Sequence, residues 1–432
     1  MEGPKTLNVD GTLALMAKGY GWLPGLMRHS GGAPVHMRLL GHRAIALHGP
    51  DAVRFFYDET HIRRRSALPG PVLDRLFGRS PVHTPDGRVD TAPSAPALLE
   101  DEAAMSEVGR YAADEWDTAR GAWARRAEIE LFTESSVVIT RAVCAWAGVP
   151  LPDDEVARGT AHDLVAMVDG FATPGPRHWR ARGARAREEK RLGLLIEQAR
   201  DDDGATVPGA APAGYPLRAV ALHRDEQGEL LDTRTAAVEL LDIIRPTVAV
   251  AWYVTFAAHA LHRWPRHRKL LREDPAYAGV FARELRRFYP FVPFVGGLAA
   301  TDLWWRGEEI PEDSLVLLDV YGLHHDPALW PRPYAFDPSR FLGRTWNADA
   351  LIPPGGVDAA HGHSAGEDIT LALLGTLSSR LAALDYGVPL QDLTIPLNRL
   401  PTRPRSGFVV DPSPLADVTR TARPEPRRPS SG

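Results

Sequence analysis

The chain has 432 residues, 44% of them hydrophobic and 24% charged, with a formal net charge of −5. That composition supports a large buried core and argues against nucleic acid as a partner, because no basic excess is available to meet phosphates. The single cysteine, Cys144, rules out an internal disulfide and any zinc site built on several thiolates. No run reads as a membrane span and no basic-then-apolar leader opens the chain, so a cytoplasmic protein with no membrane partner is expected.

In chain order, residues 12–30 read as an amphipathic helix, with Thr12 as its cap and Leu13, Leu15, Met16 and Tyr20 on one side. Residues 35–47 read as a hairpin turning at Gly41-His42. Gly49-Pro50-Asp51 then opens a short helix carrying Val53, Phe55 and Phe56. Residues 100–150 and 155–200 are helical by apolar periodicity. Cys144 falls near the end of an apolar helix and reads as a small buried hydrophobe. The arginine-rich run 177–191 reads as a solvated helix face. Residues 201–216 read as a loop within one helical array, and the Pro/Arg/Ser-rich residues 412–432 as a disordered tail, leaving one domain over 1–411.

The longest apolar helix is expected at 235–262, interrupted by Arg245-Pro246. Proline inside a helix removes a hydrogen bond and costs ~3 kcal/mol. Arginine on a buried helix needs an anionic partner. Two readings follow. Arg245 pairs with Glu239 or Asp242, or it faces a pocket and grips a carboxylate through its planar fork.

Glu284 and Arg287 lie one helical turn apart on one side. Taken alone, that pair is a weak signal. It is followed, in order, by Phe288-Tyr289-Pro290-Phe291-Val292-Pro293-Phe294, by strand-like 300–303 and 316–319, by Tyr321-Gly322-Leu323-His324-His325-Asp326-Pro327, and by Phe336-Asp337-Pro338-Ser339-Arg340-Phe341. A glycine-rich loop comes next, with Pro353, Gly355-Gly356, Gly362-His363, Gly366-Glu367 and Ile369-Thr370, and runs into an apolar helix.

This series resembles the heme-thiolate monooxygenases of the cytochrome P-450 superfamily, and looks most like their fatty-acid peroxygenase branch. The resemblance covers roughly residues 5–410. It implies a mainly α fold, with a small β region built from about 35–47, 300–320 and 390–410. It implies heme, with Arg245-Pro246 above it and Arg245 binding the carboxylate of a fatty acid. His83, in Phe77-Gly78-Arg79-Ser80-Pro81-Val82-His83, would lie over the distal face. Glu284 and Arg287 would be structural, locking the meander beneath the heme loop.

The chain departs from that pattern twice. Where the branch has Gly-His-Arg-Cys-Pro-Gly-Glu, this chain has Gly362-His363-Ser364-Ala365-Gly366-Glu367: one residue and the ligating cysteine are missing. Where the branch has basic residues for the heme propionates, this chain reads Arg88-Val89-Asp90-Thr91-Ala92-Pro93. One expectation is therefore a heme-deficient protein that keeps a carboxylate-binding pocket, in a non-redox role or as a partner of another enzyme. The other is a heme oxidoreductase with His363 or His361 as substitute axial ligand.

Overall fold

The computed structural model describes residues 10–63, 102–170, 175–201, 215–225, 227–343, 346–352 and 365–412. Helices α1 (Thr12–Lys18) and α2 (Trp22–His29), joined by a 3-10 turn, replace the single helix expected over 12–30. Thr12 does not cap α1: the N-cap is Gly11, without a side-chain bond. The Thr12 hydroxyl instead donates to Asp10 and accepts from the Leu40 amide at 2.7 Å, while Asp10 Oδ2 accepts from the Gly41 amide at 2.8 Å. These bonds pin the turn between β1 (Val35–Leu39) and β2 (His42–Leu47). The turn residues are Leu40 and Gly41, at φ +52° and +81°, one position before the expected Gly41-His42. Two consecutive left-handed residues are what a two-residue hairpin turn requires.

Next come α3 (Pro50–Tyr57) and β3 (Ile62–Arg63). After them lie α4 (Glu102–Trp123), β4 (Ile129–Glu130), α5 (Leu131–Ala147), α6 (Asp154–Asp169), α7 (Pro176–Asp201) and α8 (Pro216–Ala221). The Asp153 side chain caps α6 by accepting from the Val156 amide at 2.8 Å, and Gly148 at φ +74° ends α5. The arginine run on α7 is not simply solvated. Arg185 pairs with Glu189, Arg187 with Asp163 and Arg191 with Glu188, and all three acids are largely buried. Three- and four-residue spacings on α7 and the approach of α6 supply partners that composition does not reveal.

The core helix is two helices, α9 (Thr233–Thr247) and α10 (Val250–Arg263). Asp232 caps α9, accepting from the Arg234 and Thr235 amides at 3.1 Å each. Pro246 has no N–H to return to Asp242, and the chain tightens just beyond it. The Ala249 amide bonds Pro246 O at 3.1 Å and the Ala251 amide bonds Val248 O at 3.0 Å. Contrary to the sequence expectation, the continuous stretch Thr233–Arg263 is long and apolar enough to cross a membrane. With 78% of its most apolar window buried inside the protein, it is a core helix.

The chain continues through α11 (Arg266–Glu273), α12 (Tyr277–Phe288), β5 (Phe294–Ala299), β6 (Leu303–Trp305), β7 (Glu308–Ile310), β8 (Leu315–Asp319), α13 (Val320–His324), α14 (Ala365–Ala383) and β9 (Val409–Val410). The main sheet has the order β1-β2-β8-β5-β3, with β2 and β8 parallel and its other neighbours antiparallel. β5 opens at Phe294, earlier than the expected 300, because five of its residues pair with β8. From 390–410 only β9 is a strand, paired with β4. The helical core gathers Trp116, Trp123, Phe132, Trp252, Phe256 and Phe281, all buried, and smaller clusters lie on the two faces of the sheet. The fold is mainly α with a small β region, as expected.

His48, just after β2, spans two acids. Its Nδ1 is 3.4 Å from Oδ2 of the fully buried Asp319, and its Nε2 is 3.1 Å from Asp326 Oδ2. Burial alone would lower the His48 pKa, but the bonds and charges of Asp319 and Asp326 outweigh it and raise it above its usual value. A raised folded pKa gives stability that is complete below the ordinary histidine value and is lost as pH rises through the raised one. His48→Gln is therefore expected to flatten the fall in melting temperature between mildly acidic and alkaline pH. Equal slopes in the variant and the parent would rule this out.

Candidate functional site

The middle of the core helix is where its burial fails. Val250, Ala251, Trp252 and Val254 are at most 1% exposed, yet Asp242, Arg245 and Ala249 are half-buried and Pro246 is exposed. Spacings of three, four and seven residues put these four on one face. Arg245 keeps 29% of its side chain exposed, and its Nη2 donates to Asp242 Oδ1 at 3.0 Å. Glu239, one turn earlier, has its carboxyl pushed up by burial, then by the Asp242 charge. The structure thus places Arg245 against Asp242, and Pro246 beside it on the accessible face. A half-exposed ion pair on one helix is worth only ~0–1 kcal/mol, and one Nη contact leaves the other guanidinium donors for a ligand. His83, His361 and His363 lie outside the described residues, as does the 88–97 segment.

Glu284 and Arg287 on α12 are wholly buried and form a two-pronged pair, Nε to Oε2 and Nη2 to Oε1, each at 2.8 Å. Arg287 also donates to the carbonyls of His324 and Pro333 at 2.8 Å and of Ala335 at 3.3 Å. Glu284 Oε1 accepts from the Asp337 amide at 2.8 Å, and its Oε2 lies 3.1 Å from Arg340 Nε. One buried pair therefore satisfies backbone groups along 324–337, a stretch with little regular structure of its own.

Motif reading alone missed Arg286. It is 2% exposed, and burial lowers its pKa to about 10. Its Nη2 donates to Ile352 O at 3.2 Å and its Nη1 pairs with Glu367. Ile352 precedes the glycine-rich loop and Glu367 follows it, so one guanidinium holds both stems. The Ile352 amide donates to Nε2 of His324 at 3.0 Å. Burial keeps that imidazole neutral, well below its ordinary pKa, with His325 and Arg286 adding to the effect. Arg286 and His324 line a small pocket with Tyr253, Tyr289 and Tyr321. Tyr253 is pushed up to about 12 by burial, with Arg286 opposing. The sequence signal for Arg286 is the first arginine of Glu284-Leu285-Arg286-Arg287, which the adjacent Arg287 masks.

Cys144 is far from these groups in the chain. It sits on α5, fully buried, with its thiol pushed up to about 12 by burial against a smaller opposing effect of Arg191. Among the described residues no group of His, Cys, Asp and Glu side chains is arranged to hold a metal.

A kinked core helix with a half-buried arginine, a buried Glu–Arg clamp, and one guanidinium bonded on both sides of the glycine-rich stretch form a single constellation, and the comparisons place it in a known family. The cytochrome P450 family profile matches residues 276–355. Cytochrome P450 4A11 of Homo sapiens is 31% identical over 120 residues, 23% of this chain and 23% of that protein, so the match spans under a quarter of the curated relative. Likeness to solved structures runs nearly end to end. A variant of cytochrome P450SP alpha (CYP152B1) is 38% identical with a TM-score of 0.85, covering 94% of this chain and 99% of that one. A variant of cytochrome P450 OleT, in complex with arachidonic acid, is 31% identical with a TM-score of 0.84, covering 94% and 96%. P450SP alpha in complex with (R)-ibuprofen is 36% identical with a TM-score of 0.84, covering 94% and 99%. The chain belongs to the cytochrome P450 family, as the motif series led one to expect.

Proposed function

We propose that this chain is a divergent P450 of the fatty-acid peroxygenase type that has lost its heme-ligating cysteine and binds a carboxylic acid at Arg245, in a non-redox role or as partner of another enzyme. The observation that carries this reading is the donor set. A thiolate ligand must be deprotonated and must sit at the loop before the last long helix. The one thiol of the chain is on α5, buried and held protonated. Ser364 and Ala365, at the vacant position, supply a hard hydroxyl and no donor at all. These residues do not fit a heme-thiolate centre. What remains suits an anion: an accessible guanidinium at the break of an apolar helix, held by one weak partner. The complexes of OleT with arachidonic acid and of P450SP alpha with (R)-ibuprofen support a carboxylic acid as the ligand class.

Absorbance tests the heme half of this reading. The purified protein, before and after incubation with hemin, is expected to show no stoichiometric Soret band and no carbon-monoxide band of the thiolate type. Stoichiometric heme that is lost on His363→Ala or His361→Ala would overturn it and make the protein a heme oxidoreductase with an imidazole ligand.

A further inference from the structure

A second concentration of positive charge lies away from Arg245, where the end of α6 and the start of α7 meet the C-terminal segment. Three guanidinium groups converge there on one carboxylate. Arg399 Nη2 pairs with Asp169 Oδ1, and Nη1 groups of Arg177 and Arg403 both lie 3.8 Å from the same oxygen. Asp169 is 16% exposed and the three arginines 25–30%. Arg180 adds a fourth positive charge acting on Arg177, and Glu130 a second negative one acting on Arg403 without an ion pair. By geometry, three guanidinium groups face the single carboxylate of Asp169. Half-buried charge of one sign costs free energy unless an anion joins it.

The arginines differ in what already holds them. Arg177 Nη1 donates to Leu400 O at 3.0 Å, and Arg399 donates to Pro401 O as well as to Asp169. Arg403 makes no hydrogen bond among the described residues. Its guanidinium lies 3.9 Å over the Phe132 ring and 5.9 Å from that of Trp252. A ring contact engages the face of a guanidinium, and the 3.8 Å approach of Nη1 to Asp169 is too long for a hydrogen bond, so the donor edge can still fork onto two oxygens. Burial pushes the pKa of Arg403 down, with Arg399 adding to it and Asp169 opposing, and burial does the same to Arg177. The site is therefore oriented, partly dry and short of negative charge.

We propose that Arg177, Arg399 and Arg403 form a second anion site, which takes an oxyanion in forked contact with Arg403: the carboxylate of an amphipathic acid or inorganic phosphate. Asp169 is its internal competitor. The site does not depend on Arg245 or on the heme question. Trp252, 5.9 Å from Arg403, lies on α10 about two helical turns past Arg245, so the second site borders a different stretch of the core helix.

Calorimetry on the full chain tests this, with laurate and inorganic phosphate titrated separately at constant ionic strength. In an Arg245→Gln background a binding event is expected to persist for at least one of the two probes. Adding Arg403→Gln is expected to weaken it about tenfold, the loss of one charge-assisted fork. Persistence for laurate alone identifies an amphipathic acid as the occupant, and persistence for both identifies a general oxyanion site. Absence of the event for both probes overturns the proposal, and so does affinity within about twofold of the background in the Arg403→Gln variant. Should Arg403→Gln fail to fold by circular dichroism, Asp169→Asn decides. Removing the competitor is expected to tighten the persisting event, and unchanged or weaker affinity overturns the site.

Discussion

Arg287→Ala is expected to be among the most damaging single substitutions in the chain, lowering stability by about 3–5 kcal/mol. The loss is more than one ion pair. Glu284 would stay fully buried with only Arg340 as a charged neighbour, and the carbonyls of His324, Pro333 and Ala335 would lose a shared donor. Arg287→Lys restores charge but not the fork. One ammonium cannot satisfy both carboxylate oxygens and three carbonyls, so less than half of the loss should be recovered. Denaturant midpoints for the three proteins check this. A midpoint for Arg287→Ala within the error of the parent would show that the clamp is not what orders 324–337.

Arg245→Ala is expected to weaken binding of a long-chain acid by about 30-fold or more, some 2 kcal/mol, measured in the Arg403→Gln background so that one site is read. The estimate sits at the low end of values for buried charge pairs because Arg245 is 29% exposed and solvent screens part of the interaction. Asp242→Asn is expected to act in the opposite direction, freeing the Nη2 now given to Asp242. If Arg245→Ala and Asp242→Asn both bind the acid as the parent does, the accessible face of the core helix is not the carboxylate site.

Much of the fold was legible because several motifs occurred in a fixed order, each constraining the next. Glu284, Arg287 and the run to Phe341 are local signals of a non-local clamp, and their partners are brought in by a backbone path that the order itself implies. What was not legible depends on tertiary neighbours. Thr12 looks like a cap, but its hydroxyl serves a turn 28 residues away. The α7 arginines look solvated until α6 brings Asp163 to Arg187. Pro246 marked the break in the core helix correctly, because a missing N–H is a property of the residue alone. In sequence, Glu239 and Asp242, six and three positions before Arg245, are both candidate partners. The structure chooses Asp242, one turn away on the same face. Arg286 was hidden for the reverse reason: two adjacent arginines look alike in sequence, and only the packing around α12 gives them different partners.

The parallel pairing of β2 with β8 has a consequence for how this chain is made. Ala44 is matched with Leu315 and Leu47 with Leu318, about 270 residues apart. At synthesis rates of ~5–20 residues per second, the β1–β2 hairpin leaves the ribosome some tens of seconds before its neighbour exists. During that interval Ala44, Ile45, Ala46 and Leu47, nearly fully buried in the finished protein, form a bare apolar edge. Closing so long a loop is also slow, since its entropy is lost before the pairing contacts form. The N-terminal hairpin thus needs shielding in a newly made chain, and a nascent chain stalled before β8 would display its apolar edge as a point of aggregation.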